Sequence, residues 1–532
     1  MKLAVEGLKK NNVEYIETTR TQLKHVVENI LSDKECRLST CLAYDGRGID
    51  GALHVAYIFT CHREGRHIIV DVPVDPATAS MDSLYPLTGS PACTWCEAEA
   101  RDLYGIKFRG NPWKGRLVLP DTWPKNIHPM RKDAPRGKPP VEPEKALKKK
   151  PRPGIPLGPY HPALHEPEYF ELHVIGEKVV DVWYRGFFVY RGIEKLAEDR
   201  FLYHQVPFLA ERICGICGFV HSTTYCMAVE AALGIEVPER AKYIRTVLLE
   251  LERIHSHLLC TAAILHTVGY DTGFMHIMNA REEVMDAAEI ITGNRKTYSA
   301  NTPGGVRVDI DESMARTILE KAEKAVTKGV KLAREYAELD EVKTRLEETG
   351  ILDRKDAWKW GALGPVARAS GIDIDMRRDK PYAAYENVEF EVPVMDEGDS
   401  MARYMIRLEE ALESLKILKQ VLKDLPKTPL RAEGQDYKPF HVGLAASEAP
   451  RGECLHYIIT GRGKRLWRWK IRSPTYNNLA LLPNLLVDRP LADAPVILMS
   501  IDPCFSCTDR VILVELDKGR RRSVSLARLT RP

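Results

Sequence analysis

The sequence predicts an α+β chain in two parts, a small α+β N-terminal domain and a larger, mainly helical body. Three observations support this prediction. The first 133 residues combine an amphipathic segment with β-rich runs, residues 134–157 are rich in proline and lysine, and three long segments with helical periodicity follow. A length of 532 residues is also too great for a single hydrophobic core, which favours more than one domain.

The composition is that of an ordinary globular protein. Apolar residues make up 44% of the chain and charged residues 28%. The 77 basic and 74 acidic residues leave a net charge of +3, which gives no support for a nucleic-acid partner. No apolar stretch is long enough for a membrane span, and the N-terminus lacks the apolar core of a signal peptide. We therefore expect a cytoplasmic chain that is able to dock on the inner face of a membrane complex.

The N-terminal domain is predicted over residues 1–133. The amphipathic pattern over Thr19–Leu31 predicts a helix, and the runs HVAYIFTC and HIIVDVPV predict strands. Residues 134–157 hold seven prolines and a lysine run, so they predict an extended linker that is either a solvated spacer or a basic docking strip.

The larger part begins with the runs YFELHVIG and EKVVDVWYRGFFVY, which predict strands. Helical periodicity over Ala241–Leu265, Ser313–Leu346 and Met401–Leu425 predicts a helix-bundle core, with the last helix ending before Pro426. Near the end, ECLHYIITG, KRLWRWKIRS and PVILMSI predict a return to β structure.

The twelve cysteines are too few for a disulfide scaffold. Six of them form CxxC pairs, which in a reducing compartment indicate metal or redox sites: Cys93 and Cys96, Cys214 and Cys217, Cys504 and Cys507. The first pair lacks a second pair nearby and is interpreted as structural. The remaining cysteines occur singly and are interpreted as small core residues: Cys36, Cys41, Cys61, Cys226, Cys260 and Cys454.

The other two CxxC pairs lie nearly 290 residues apart, in RICGICGFVHS and DPCFSC. Four thiolates suit zinc, an iron–sulfur cluster or nickel, and spacing alone favours structural zinc. The flanking residues change this preference. His221 follows Cys217 after three residues, and the segment EAPRG, with Pro450 and Arg451, precedes the second pair.

Together, RICGIC with its histidine, APRG, and DPCFSC followed by TDR resemble the large subunit of energy-converting, complex I-related (group 4) [NiFe]-hydrogenases of the formate hydrogenlyase type. Residues 158–510, which open with GPYHPA, resemble that subunit and its relative, the 49-kDa quinone-site subunit of complex I. Residues 1–133 resemble the 30-kDa subunit of complex I in the segments EARDLYGI and PMRKD. The chain is thus similar to a fusion of the two, with a C-terminal extension over residues 511–532.

The resemblance implies a Ni–Fe centre whose iron carries cyanide and carbon monoxide ligands. Cys214, Cys217, Cys504 and Cys507 would ligate nickel, with Cys217 and Cys507 also bridging to iron. The implied reaction is 2H+ + 2e− ⇌ H2. The alternative is a quinone-site or scaffold subunit of a complex I-like NADH or ferredoxin:quinone oxidoreductase. Four retained thiols would only be oxidation liabilities in a quinone pocket, which favours the hydrogenase.

The resemblance also assigns the proton chemistry. Cys504 would be the first proton acceptor and Glu166 the relay carboxylate, provided that burial raises its pKa. Arg451 would hang over the open metal position, next to Pro450 in the cofactor-binding APRG segment. Without the resemblance, Glu166 would be a surface glutamate and Arg451 a surface salt-bridge residue.

Three further residues receive roles in the same way. His221 would hydrogen-bond a bridging thiolate, and Thr475 would donate to a cyanide on iron. Glu194 would hold a magnesium or iron ion, although this chain has Arg510 where other groups carry the histidine of that site. Otherwise, His221 would be a core residue and Thr475 a turn hydroxyl.

The cysteines beyond the quartet offer no ligand set for an iron–sulfur cluster, so electrons must leave through another polypeptide. The resemblance implies a small subunit with 4Fe–4S clusters, similar to the 20-kDa subunit of complex I, and antiporter-like membrane subunits. Electrons would come from a formate or carbon monoxide dehydrogenase module or from ferredoxin. A maturation endopeptidase would remove the extension after Arg510, unless VILVEL forms a permanent strand.

Overall fold

The computed structural model describes residues 2–121, 123–135, 154–161, 164, 166–187, 191–434, 436–507, 514–515 and 520–521. Helices and strands occur in both predicted parts, so the α+β class is confirmed. Most of the predicted linker, residues 136–153, lies outside these ranges, as do residues 508–510 and most of the C-terminal extension.

The N-terminal part is a four-stranded sheet with helices packed on it. Its elements are α1 (Glu6–Lys10), β1 (Val13–Glu17), α2 (Leu23–Ser32), β2 (Cys36–Asp45), β3 (Leu53–Cys61), β4 (Arg66–Val74), β5 (Ser80–Asp82), α3 (Tyr85–Thr88), α4 (Pro91–Tyr104) and β6 (Lys107–Arg109). The strand order is β1-β4-β3-β2, with β1 parallel to β4 and the other pairs antiparallel. Strands β3 and β4 are the two predicted from HVAYIFTC and HIIVDVPV, and α2 lies in the predicted amphipathic segment.

The body begins with three antiparallel strands and continues as helices. Its first elements are β7 (Ile155–Leu157), β8 (Tyr169–Ile175), β9 (Lys178–Arg185), α5 (Ile193–Arg200), α6 (Val206–Ala210), α7 (Gly218–Leu233), α8 (Glu239–Val268), α9 (Asp271–Thr292), β10 (Asn301–Thr302), β11 (Gly305–Val306) and α10 (Glu312–Ala337). Strand β7 lies within residues predicted as linker, because Ile155–Leu157 pair with Phe170–Leu172 of β8.

The remaining elements carry the second half of the site. They are α11 (Asp340–Leu346), α12 (Arg354–Trp360), α13 (Gly364–Arg368), α14 (Met376–Asp379), α15 (Ser400–Val421), β12 (Val442–Ala449), β13 (Gly452–Thr460), β14 (Leu466–Arg472), α16 (Pro474–Leu486), α17 (Ala494–Ser500), β15 (Val514–Glu515) and β16 (Arg520–Arg521). Strands β12, β13 and β14 form an antiparallel sheet, and β15 pairs with β16 within the C-terminal extension.

The predicted helix bundle is confirmed. Helices α8, α9, α10 and α15 pack around one cluster of buried aliphatic residues. The segment Ser313–Leu346 is two helices rather than one, because Leu339 adopts an extended conformation between α10 and α11. Within the described ranges, no helix is both long and apolar enough to cross a bilayer.

Two further predictions from the sequence are wrong. PVILMSI was expected to continue the β structure, but Ala494–Ser500 is helix α17, with a proline in its first turn and nearly all of its side chains buried. A seven-residue apolar run has no periodicity that distinguishes a buried strand from a buried helix. Cys36 and Cys61 were interpreted as separate core residues. They face each other at the ends of β2 and β3 and form a disulfide.

The two parts share one hydrophobic core. Tyr57 and Trp95 of the N-terminal part belong to the same buried cluster as Leu479 of α16 and Phe505 of the second CxxC segment. Polar contacts cross the same boundary, such as the bond from the Arg468 Nε atom to the Ala43 carbonyl (3.0 Å). The N-terminal part therefore supports the segments that carry the cysteines.

Candidate metal centre

The four predicted ligand cysteines converge at one buried point. The Cys504 Sγ atom lies 3.1 Å from that of Cys214 and 3.2 Å from that of Cys507. The sulfur atoms of Cys214, Cys217 and Cys507 all lie within 4.8 Å of one another. Cys214, Cys217 and Cys504 are buried, and Cys507 is partly exposed. Four convergent thiols without a disulfide among them form a donor set for a soft or borderline metal.

The first cysteine pair is positioned by the start of helix α7. Cys217 is the residue before that helix, and the backbone amides of Cys217 and Ile216 both point at the Cys214 sulfur, at 3.1 and 3.3 Å. The next free amides, of Phe219 and Val220, donate to the Glu252 carboxylate of α8. This buried carboxylate caps the helix end that presents the pair. Burial raises the pKa of Glu252 to about 7.

The pKa values of Cys217 and Cys504 are shifted in opposite directions. Hydrogen bonds from Cys214 and Cys507 lower the pKa of the Cys217 thiol, whereas the hydrogen bond with Cys214 raises the pKa of Cys504. Metal binding requires thiolates, so loading releases these protons. Cys217 therefore ionises more readily than Cys504.

Arg451 lies in the hairpin between β12 and β13 and hydrogen-bonds to the segment that carries the second cysteine pair. Its guanidinium donates to the Asp502 carboxylate (Nη2–Oδ1, 2.6 Å) and backbone carbonyl (Nε–O, 2.9 Å), and also contacts Ser256 of α8. Next to it, Gly452 has a φ of 122°, and a Cβ atom there would lie 2.5 Å from the Gly364 amide. Only glycine permits this close approach. Arg451 is thus a buried residue beside the cysteines, as the resemblance implied, and not a surface one.

Glu166 lies against the second CxxC segment. Its Oε2 atom accepts a hydrogen bond from the Ser506 amide at 2.6 Å. The Ser506 hydroxyl hydrogen-bonds to the same carboxylate and lies 3.5 Å from the Cys504 sulfur. Burial raises the pKa of Glu166, and the negative charge of Cys504 acts in the same direction. The arrangement gives a short polar connection from Cys504 through Ser506 to Glu166.

His221 lies one helical turn after Cys217, in a buried polar chain. The Trp469 Nε1 atom donates to Nδ1 of His456 (3.2 Å), and Nε2 of His456 lies 3.1 Å from Nδ1 of His221. An indole N–H is only a donor, so a neutral His456 carries its proton on Nε2 and donates it onward. Burial lowers the pKa of His456, which keeps its ring neutral.

Because Nδ1 of His221 accepts the hydrogen bond from His456, the neutral His221 ring carries its proton on Nε2. That atom is buried and has no hydrogen-bond partner in the part of the chain that the structure describes. Cys454, interpreted above as an apolar core residue, lies 3.5 Å from the other ring nitrogen of His221. A buried N–H without a protein acceptor indicates a position for a group that the protein binds.

Thr475 and Pro450 are both buried. Thr475 lies in the first turn of α16, and its hydroxyl also lacks a hydrogen-bond partner among the described residues. Pro450 lies in the hairpin between β12 and β13 that carries Arg451. The unsatisfied hydroxyl fits a polar ligand on a bound metal, so the residues present are compatible with the implied Ni–Fe centre.

Glu194 does not fit the divalent ion that the resemblance implied. Its Oε2 atom accepts from the Arg468 guanidinium at 2.6 Å, and its Oε1 atom accepts from the Ile471 amide at 3.0 Å and lies 3.7 Å from the Lys470 ammonium. Two cationic side chains already neutralise this carboxylate, so a divalent ion at the same oxygens would meet their positive charge.

Comparisons with known proteins identify the family. The family of the 49-kDa subunit of respiratory-chain NADH dehydrogenase matches residues 267–443 and 437–510, and that of the 30-kDa subunit matches residues 16–140. The nickel-dependent hydrogenase family matches residues 191–270, which include the first cysteine pair.

Individual relatives of the chain are also hydrogenase subunits. The chain is 40% identical to hydrogenase-4 component G and 39% identical to formate hydrogenlyase subunit 5, both of Escherichia coli K12, over 96% of this chain and 90% and 91% of those proteins. It is 40% identical to the carbon monoxide-induced hydrogenase of Rhodospirillum rubrum over 67% of this chain and 99% of that protein.

A solved structure, the membrane-bound sulfane sulfur reductase complex of an archaeon, contains a chain 33% identical to this one, with a TM-score of 0.64 over 67% of this chain and 98% of that one. The relatives and the two complex I families together account for both parts of the fold. The chain therefore belongs to the complex I-related, group 4 [NiFe]-hydrogenases, as a catalytic subunit fused to a 30-kDa-like N-terminal domain.

Proposed function

We propose that this chain is the catalytic subunit of a membrane-associated hydrogenase complex that reversibly reduces protons, 2H+ + 2e− ⇌ H2. The observation that carries the proposal is the convergence of Cys214, Cys217, Cys504 and Cys507 on one buried point. These four residues would hold a Ni–Fe centre with cyanide and carbon monoxide on the iron, and the centre would supply the redox chemistry.

In this proposal, Cys504 receives the proton at the site and Glu166 passes it on. The Ser506 hydroxyl, 3.5 Å from the Cys504 sulfur, offers the connection between them. Burial raises the pKa of Glu166, so this carboxylate takes up a proton more readily than an exposed glutamate does. Arg451 brings a buried positive charge to the cysteines and, through Asp502, holds the segment that carries Cys504.

Electrons would reach the site through a small subunit with 4Fe–4S clusters, similar to the 20-kDa subunit of complex I. Antiporter-like membrane subunits would anchor the complex on the cytoplasmic face of the membrane. The electrons would come from a formate dehydrogenase module, a carbon monoxide dehydrogenase module or ferredoxin, and the names of two relatives mention formate and carbon monoxide. A fully active, soluble preparation of the single chain would contradict this partnership.

The decisive experiment is metal analysis of the purified, matured complex together with an H2 assay. We expect one nickel per chain, and hydrogen evolution with a reduced dye as electron donor. The complex I-like alternative predicts no nickel and quinone-dependent electron transfer. An active, nickel-free preparation would exclude the hydrogenase.

The C-terminal extension should be removed during maturation. Residues 511–532 carry Arg520, Arg521 and Arg522, which are costly to bury, and they follow directly on the segment that closes the site. We expect the nickel-loaded protein to end at Arg510, as measured by intact mass spectrometry. If active, nickel-loaded protein retained Pro532, the extension would be a permanent part of the fold.

Replacing His456 with phenylalanine should disturb the site without emptying it. The substitution removes the donor that fixes the proton of His221 on Nε2. We expect normal nickel content, shifted infrared bands of the diatomic ligands on iron, and an activity roughly 10- to 100-fold lower. Trp469→Phe, which keeps the contact between the two histidines, should shift the bands less. Unchanged bands in His456→Phe would contradict the role of His221.

A further inference from the structure

A buried cluster of charged side chains lies between the N-terminal part and the catalytic body. It contains three carboxylates, those of Glu99, Glu194 and Glu198. They are balanced by three cationic side chains, those of Lys132, Arg468 and Lys470. Five of the six side chains are buried, and Lys132 is partly exposed at one end. A compensated cluster of this kind is tolerated in a protein interior, whereas one unpaired member is not.

Secondary structure creates the cluster. Arg468 and Lys470 are two residues apart on β14, so both project from the same face of the strand. Glu194 and Glu198 are four residues apart and share one face of α5. Glu99 reaches the cluster from α4 of the N-terminal part.

Lys470 occupies the centre of this arrangement. Its Nζ atom lies 2.5 Å from the Glu99 Oε1 atom and 3.7 Å from the Glu194 Oε1 atom. Arg468 takes the other oxygen of Glu194 at 2.6 Å and also contacts Glu198 at 3.4 Å. The ammonium thus lies between a carboxylate of the N-terminal part and one of the catalytic body.

We propose that the ammonium group of Lys470 is the resident cation of the Glu194 site and takes the place of a divalent metal ion there. Mg2+ requires six oxygen ligands in near-octahedral geometry, and the Glu194 oxygens are already hydrogen-bonded to the Arg468 side chain and the Ile471 amide. A divalent ion beside Lys470 and Arg468 would also add two uncompensated positive charges to a buried site. The proposal holds whichever reaction the centre catalyses.

The replacement has a structural consequence, because Lys470 pairs with Glu99 of the N-terminal part as well as with Glu194 of the catalytic body. A cavity of about 60 Å³ lies beside the ion pair and is lined by Glu99, Glu194, Lys470 and Cys507. Lys470 therefore links the fused N-terminal part to the wall of the metal centre through side chains of this chain alone.

Metal analysis of the wild-type complex tests the proposal directly. After gel filtration into metal-free buffer, plasma mass spectrometry should find no magnesium bound to the chain and no iron beyond that of the Ni–Fe centre and of the clusters in partner subunits. The apparent Tm should be the same with and without millimolar Mg2+. A stoichiometric Mg2+ or additional iron whose removal lowers the Tm would overturn the proposal.

A gain-of-site variant provides the positive test. Lys470→Ala removes the ammonium and leaves Glu99 and Glu194 facing the same vacancy. We expect a lower apparent Tm than in the wild type, and a recovery of about 2 °C or more on adding Mg2+ in large excess over its Kd. The double variant K470A/E194Q should lose this recovery, because one of the two carboxylates is gone.

Lys416→Ala is the matched control, since Lys416 pairs with Glu413 at an exposed position on α15. Its Tm should not respond to Mg2+. If Lys470→Ala does not fold, Lys470→Gln, which retains the bulk and a donor, takes its place. A folded Lys470 variant whose Tm is indifferent to Mg2+ would count against a cation site.

Discussion

Cys214→Ser is expected to abolish hydrogen evolution, with a loss on the order of 10³-fold or more. The Cys214 sulfur receives two backbone amides and lies 3.1 Å from Cys504, so it is the ligand most firmly held by the fold. A serine hydroxyl does not ionise near neutral pH and is a poor ligand for a metal that binds thiolates. Nickel content, measured by plasma mass spectrometry, should fall together with activity.

Cys226→Ala is the matched control for this experiment. Cys226 is a buried cysteine on helix α7, about two helical turns beyond Cys217 of the quartet, and it packs in a cluster of mostly apolar side chains. We expect normal nickel content and activity, and a loss of about 1 kcal/mol in the free energy of unfolding. Full nickel loading of Cys214→Ser would remove this residue from the ligand set.

Glu166→Gln should slow turnover by about 10²- to 10⁴-fold while nickel content stays normal. Glutamine retains the shape of the side chain and an oxygen that accepts from the Ser506 amide, but it does not carry a proton. The assay is hydrogen evolution with a reduced dye, together with metal analysis of the same sample. Turnover close to that of the wild type would place the proton route elsewhere.

Two further variants locate the connection between Cys504 and Glu166. Glu166→Asp retains the ionisable group and should keep more activity than Glu166→Gln. Ser506→Ala removes the hydroxyl 3.5 Å from the Cys504 sulfur but leaves the backbone amide that binds Glu166. An intermediate activity is expected for Ser506→Ala if protons pass through the hydroxyl.

Much of this molecule is predictable from its sequence because strong local patterns determine it. The period of apolar residues identified α8, α10 and α15, and runs rich in β-forming residues identified β3, β4 and β13. The two CxxC pairs identified the cysteine quartet. Short apolar runs gave the wrong structure, as for α17, since their environment is set by contacts with distant segments.

The supporting residues of the site were missed for the same reason. His456 is a single histidine in the strand ECLHYIITG, and its contact with His221 spans 235 residues. Glu252 is one of many acidic residues in its helix, and nothing local distinguishes it as the cap of α7. The pairing of Cys36 with Cys61 and of Glu194 with Arg468 likewise depends on which strands and helices become neighbours.

Because the two cysteine pairs are far apart in the sequence, the ribosome synthesises the second pair well after the first. Cys214 and Cys504 are 290 residues apart, so at ordinary ribosomal speeds the second pair is synthesised roughly 15 to 60 s after the first. During that interval a nascent chain exposes half of a ligand set, able to capture any thiophilic ion such as zinc or copper. Correct loading therefore depends on keeping the first thiols protonated or shielded until the last part of the catalytic body has been made.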